Sequence, residues 1–207
     1  MNSISENHTE PAEDPDLRLV LLRAAETGFT RAGRMEGDID LPLTDRGRAA
    51  VGRLVTEILD PLGGPDAVYS AANQSSRETA EVVASGNGMR VKVLSGLRGL
   101  SLGLWEGQLL ADVRQRHARV YENWYRDPLC ITPPGGEEME DALRRTKVAA
   151  NSILKKHRRG TVAVVAPEAV IGLFCCHLGQ CTPDRVFKLT RNLGPAEVVA
   201  LSGRVRV

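Results

Sequence analysis

Aromatic side chains are scarce in this sequence (4%), cysteines and histidines number four each, and neither charge sign dominates, with 27 basic residues against 26 acidic ones. Each shortage excludes something. Without an excess of positive charge there is no electrostatic footprint for nucleic acid or an acidic membrane. Cys130, Cys175, Cys176 and Cys181 are too few and too clustered for the disulfide framework of a small secreted domain. The longest apolar stretch, Thr161 to Cys176, is interrupted by Pro167 and Glu168 and is too short for a membrane span. No apolar segment follows the N-terminus, so no secretory signal is expected. What is present is 42% hydrophobic residues in a chain of 207, enough for one sizeable core. The expectation is a soluble, cytoplasmic α/β domain over residues 17–207. Residues 1–16, polar, acidic and holding two prolines, read as a disordered tail with His8 solvated in it.

The pattern alternates strands with helices. Leu17–Leu22 is a short apolar run bounded by polar residues, which suits a buried strand. A helix capped by Thr44 or Asp45 follows, with Val51, Leu54, Val55, Ile58 and Leu59 in one stripe. Asp66–Ala71 and Val91–Leu94 read as strands. Between them Ser75 and Glu78 have the spacing of a capping box. One helix is expected from about Leu109 to Tyr125, carrying His117 on its apolar stripe, and another from Glu137 to His157. Thr161–Ala166 is a β-branched strand, followed by an apolar helix from Ala169 to Leu178 with Pro167 and Glu168 as its start signals. Thr182 opens a short helix, and Ala196–Leu201 and Val205–Val207 close the chain as strands. Such alternation implies a mostly parallel sheet covered on both faces.

Several loops carry more than composition. Leu22-Arg23-Ala24-Ala25-Glu26-Thr27 ends the first strand, followed by Gly33-Arg34, Gly37 and Asp40-Leu41-Pro42-Leu43-Thr44-Asp45-Arg46-Gly47. Tyr69-Ser70 precedes Arg77-Glu78-Thr79-Ala80, and Leu97-Arg98-Gly99 precedes Gly103-Leu104-Trp105-Glu106-Gly107. Pro134-Gly135-Gly136-Glu137 and Val164 to Val170 complete the series. In order and spacing, over about residues 17–203, these segments resemble the histidine phosphatase superfamily, the phosphoglycerate-mutase-like proteins. The resemblance implies a three-layer α/β/α sandwich with a phosphate pocket at the C-terminal ends of the strands, where open α/β sheets bind ligands. It also implies phosphoryl transfer through a phosphohistidine.

That chemistry needs an imidazole to attack phosphorus, cationic groups to hold the phosphoryl oxygens, and a carboxylic acid for the leaving oxygen. Carried over position by position, the family's first arginine is Arg23. Its nucleophilic histidine position holds Ala24, which has no lone pair to donate. The pocket asparagine aligns with Thr30, the second arginine with Ser75, the acid with Gly99 and the second histidine with Pro167. The histidines of this chain, His8, His117, His157 and His177, lie away from both strand ends. Glu168 has entered the helix start where phosphate would lie. It either pairs with Arg23 or merely complements the helix dipole. Ser75 has the plain alternative of a helix cap, and Gly99 that of a turn residue.

The leading expectation is therefore a catalytically inactive member of the family. It would bind a protein partner or a small anionic metabolite in a vestigial pocket of Arg23, Thr30, Ser75 and Glu168, without cofactor or metal. The alternative is a hydrolase with weak or non-phosphohistidine chemistry in the same pocket, using Glu26 or Glu106 as base. A metal or redox site at Cys175-Cys176-His177 and Cys181 is a third reading. Consecutive helical side chains fan around the axis, which argues against it. Trp105, Tyr121, Trp124 and Tyr125 fall in the segment that covers the pocket in the family, as lid packing or as interface anchors. A homodimer is compatible with the pattern but not demanded by it.

Overall fold

The computed structural model describes residues 16–86 and 88–201. The expected tail, His8 and the closing strand Val205–Val207 lie outside the described residues, apart from Asp16.

A five-stranded sheet forms the middle layer, in the order β3-β2-β4-β1-β5. Its strands are β1 (Leu17–Arg23), β2 (Ala67–Ser70), β3 (Val91–Val93), β4 (Gly160–Ala166) and β5 (Ala196–Leu201). β1 to β4 are mutually parallel, and β5 pairs antiparallel with β1 at one edge. Side-chain alternation divides β1 and β4 between two cores. Leu17, Leu19 and Leu21 join Val162, Val164 and Ala166 on one face, while Val20 and Leu22 join Ala163 and Val165 on the other. Both faces are buried, which is why these strands read as unbroken apolar runs.

The helices that cover the first face are α6 (Met139–Lys156) and α7 (Glu168–His177). The second face is covered by α2 (Asp45–Leu54) and α3 (Gln74–Ser85). The stripe expected on α2 is present, but its last part, Val55–Leu59, winds as a π-helical turn. A third cluster lies beyond the strand ends. There α4 (Leu110–Arg116) and α5 (Ala118–Arg126) pack Val113, Tyr121 and Trp124 against Trp105, Leu173 and Phe187. Trp105, Tyr121 and Trp124 are buried, so the aromatics serve as lid packing. Two short helices complete the set, α1 (Gly28–Arg31) and α8 (Val186–Asn192).

Four local expectations need correction. The helix expected from Leu109 to Tyr125 breaks at His117, whose backbone (φ −124°, ψ 32°) is not helical. His117 is exposed there, and Val120 turns to solvent. Ser75 is not a cap: α3 starts at Gln74, two residues earlier than a Ser75 cap would place it, with Asn73 at its N-cap. The first free amide, that of Gln74, donates to Asp40 from a distant loop, and the side chain of Glu78 accepts from Leu43 and Gln74. Pro167 is the N-cap of α7 rather than its first helical residue. Finally, Cys176 and Cys181 are joined as a disulfide, where the sequence expected none. Cys175, next to it, is buried among apolar side chains, and that burial, with a smaller contribution from Glu197, pushes its thiol up to about 12. His177 bonds Asn151 at 2.6 Å. Among the described residues no group of histidine, cysteine, aspartate or glutamate has the arrangement of a metal site. None of the described helices is long and apolar enough to cross a membrane.

Candidate functional site

β1 and β4 end side by side, with Arg23 opposite Ala166 in the register and the Ala24 amide donating to the Ala166 carbonyl at 2.9 Å. The chain leaving β1 passes to α2 on one face, and the chain leaving β4 passes to α7 on the other. Divergence of the two connections opens a crevice at the strand ends. The crevice is a cleft of about 700 Å³. It brings together Arg23, Ala24, Thr30, Ser75, Pro167 and Glu168, residues drawn from widely separated parts of the chain.

Arg23 and Glu168 form an ion pair at 3.2 Å, both partly exposed. Solvent screening makes such a pair worth little in stability, but it gives Arg23 a carboxylate partner inside the cleft. Thr30 is drawn into local structure. Its hydroxyl accepts from the Thr27 amide at 2.9 Å, and Thr27 in turn caps α1. Ser75 is buried, and its hydroxyl accepts from the Asn73 side chain at 2.8 Å.

Gly99 does not line the cleft. A Cβ built there would overlap the Gly37 carbonyl oxygen and press on Asp38. The Gly99 amide also donates to Asp38 at 2.8 Å. This position is thus a close backbone approach with no room for a side chain, not simply a turn.

The two bases suggested by the sequence separate. Glu106 accepts from the Leu102 amide at 2.9 Å and packs against Gly37, so it holds a loop. Glu26 does line the cleft, where it accepts from the Thr44 hydroxyl at 2.8 Å. Glu36, Asn73, Arg114 and Arg191 also line it and were not singled out from the sequence. Asn73 and Glu36 lie close in sequence to recognised motif residues, Glu36 directly before Gly37. Arg114 and Arg191 arrive from α4 and α8. Glu36 Oε1 and Asn73 Oδ1 are buried and have no hydrogen-bond donor among the described residues. Two acceptors without donors fit a ligand that supplies hydroxyl or amine hydrogens.

Burial pushes the Glu36 carboxyl above the ordinary glutamate range, against a weaker opposing hydrogen bond with Thr27. The folded state therefore holds this proton to higher pH than the unfolded chain. The penalty for ionising it is absent below the unfolded value of about 4.3, and it grows as pH rises through the raised folded value. Glu36→Gln removes that penalty. Its melting temperature is expected to gain on the parent as pH rises from ~4 to ~7. Thermal melts across that range check this. An advantage that is constant, or largest at low pH, contradicts it.

The sequence profile of the histidine phosphatase superfamily (branch 1) matches residues 19–204. Phosphoserine phosphatase 1 of Hydrogenobacter thermophilus is 26% identical over 164 residues, 79% of this chain and 77% of that protein. A bifunctional protein of Mycobacterium tuberculosis is 32% identical over 166 residues, 78% of this chain. The match covers only 45% of that protein, so the chain corresponds to about half of it. Among solved structures, YhfR of Bacillus stearothermophilus superposes with a TM-score of 0.79 at 27% identity, covering 91% of this chain and 93% of that one. Fold, sequence profile and strand-end cleft agree: this chain belongs to the histidine phosphatase superfamily, branch 1.

Proposed function

We propose that the Arg23 cleft is a ligand-binding pocket on a phosphatase fold, one that holds a small polar or anionic ligand and has no phosphohistidine route. The observation that carries this reading is the closed pair of Arg23 and Glu168 beside Ala24. A carboxylate sits where a phosphoryl group would need cations, and a methyl group sits where it would need an imidazole. Losing a nucleophile alone typically costs about 10⁴–10⁶ in turnover.

A second reading has its own support. Several relatives are named as phosphatases, which favours a phosphatase-like hydrolase over an inactive protein. Within the cleft, the buried Glu36 carboxyl, held above its ordinary range, has the character of a proton donor. In that reading Glu36, rather than a residue at position 99, would protonate a leaving oxygen.

Phosphate release from a broad panel of phosphomonoesters, with Arg23→Ala as the paired control, separates the two. Background release in both proteins is expected. Saturable release that disappears in Arg23→Ala would overturn the binding-only reading and establish hydrolysis without phosphohistidine.

A further inference from the structure

Beyond the cleft lies a second cavity of about 830 Å³, between α4, α5 and α8. The two share Arg114, Tyr121, Tyr125 and Arg191, so the second cavity is the mouth of the first. Its charge is one-sided. Five basic residues line it, Arg114, Arg126, Arg185, Lys188 and Arg191, against Glu122 and Asp184. Asp184 lies 3.8 Å from Arg185 and offsets part of that charge. Arg114, Arg126, Lys188 and Arg191 have no carboxylate within 4.0 Å among the described residues. In a chain whose formal charge is +1, such a concentration is local, not a property of the whole surface.

The cations are also held in place. The Arg114 guanidinium lies 5.2 Å from the Tyr121 ring centroid, and that of Arg191 lies 4.9 Å from the Tyr125 ring. The two tyrosines stack on each other, and Tyr125 stacks on Phe187. The Tyr125 hydroxyl donates to the Phe187 carbonyl at 3.1 Å, which fixes α5 to α8. Packing of guanidinium groups on aromatic faces lowers the cost of ordering them around an anion, and Arg114 is held further by donating to the Tyr121 hydroxyl at 3.4 Å.

We propose that this mouth is the anion subsite of the protein: Arg114, Lys188 and Arg191 hold the phosphate group of a small phosphorylated ligand whose hydroxylated part reaches into the Arg23 cleft. The proposal extends the reading of that cleft as a binding pocket. It relocates the positive charge that the strand ends have lost to Ser75 and Pro167 into the lid. The size favours a small molecule over a protein segment, because 830 Å³ lies within the range of small-molecule sites. The unpartnered acceptors of Glu36 and Asn73 call for hydroxyl or amine donors on the other end.

Inorganic pyrophosphate titrated calorimetrically into the full chain is the probe. Binding is expected, weakening as ionic strength rises. Arg114→Gln and Arg191→Gln are each expected to weaken it about tenfold, since charge-assisted hydrogen bonds are lost. Arg144→Gln, at an exposed arginine paired with Asp141 outside both cavities, should change it less than about threefold. Both groove arginines are exposed, so their variants should melt like the parent. Absence of binding, or binding indifferent to both groove variants, overturns the proposal. Loss of binding in Arg23→Ala alone would return the anion to the strand ends, refuting the groove while keeping the cleft. Capture of poly-glutamate without pyrophosphate would also overturn it, in favour of a protein-docking surface. If the groove variants behave as expected but the cleft proves to be a hydrolase, only the reading of the cleft fails.

Discussion

Glu137→Ala is expected to lower the melting temperature by about 6–12 °C, from a loss of about 3 kcal/mol at about 2–4 °C per kcal/mol for a chain of this size. Glu137 accepts from Arg98 at 2.7 Å and from Arg145 at 2.8 Å on each oxygen. Its side chain is 9% exposed and that of Arg145 is 15% exposed. Arg145 also donates to the carbonyls of Gly96, Arg98 and Gly99, at 3.0, 2.6 and 2.9 Å. One buried carboxylate thus neutralises the guanidinium that ties the loop of residues 96–99 to α6. Without it, Arg145 keeps its carbonyl partners but loses its counter-charge in a dry environment. That loss is the costly half of a buried ion pair. Arg98 is 39% exposed and can rehydrate, so the figure belongs at the low end of the usual 3–5 kcal/mol range. Arg144→Ala is the control. Its pair with Asp141 is exposed at both ends, and its removal should cost under about 1 kcal/mol. Denaturant melts of both variants decide this. Similar losses in the two would mean that burial does not govern the network.

The same network shows what the sequence reveals and what it withholds. β1 and β4 are legible because a central parallel strand must be apolar on both faces, and Val164 and Val165 satisfy both cores at once. α6 is expected from Glu137 and begins at Met139, with Glu138 extended at its N-cap and the Glu137 side chain committed to two arginines. That commitment joins residues 8 and 39 positions away and leaves no local trace. The break at His117 is hidden for another reason: no proline or glycine marks it, and apolar residues recur across it. The Ser75 cap fails because Asp40, from another loop, supplies the acceptor instead.

The site divides in the same way. Arg23, Ala24, Thr30, Ser75, Pro167 and Glu168 sit in contiguous motifs, and the fold brings them into one cleft. Glu36 lies between two recognised segments, yet its burial is a tertiary property. Arg114 and Arg191 belong to different helices of the lid. The only local hint for the latter is the three-residue spacing from Lys188, which places both on one side of a short helix.

Restoring the missing imidazole alone is expected to restore nothing: Ala24→His should release phosphate from phosphomonoesters no faster than the parent and form no acid-labile phosphoenzyme. A nucleophile acts only where its target is held, and position 24 looks out on a cleft whose strand-end arginine, Arg23, is paired with Glu168. An incoming dianion would meet that carboxylate. Two unit like charges ~4 Å apart repel by about 1 kcal/mol in water and ~4 kcal/mol at an effective dielectric near 20, and a dianion doubles each figure. Because both side chains are partly exposed, the true value lies between these. Removing the carboxylate and supplying the second imidazole, as Ala24→His with Pro167→His and Glu168→Gly, frees Arg23 and adds a donor at the start of α7. That triple variant is expected to accumulate phosphohistidine yet turn over slowly, because an acid is still missing. It cannot be returned at position 99, where a side chain would collide with the Gly37 carbonyl and expel Asp38 from its bond to the Gly99 amide. Absence of a general acid typically costs about 10²–10⁴. Phosphoenzyme trapping and steady-state release, measured together, separate attack from leaving-group protonation. Rapid turnover by the single variant would show that Arg23 is available to phosphate despite Glu168. Rapid turnover by the triple variant would assign the acid to the remaining cleft carboxylates, and loss of that turnover with Glu36→Gln would identify Glu36 as the donor.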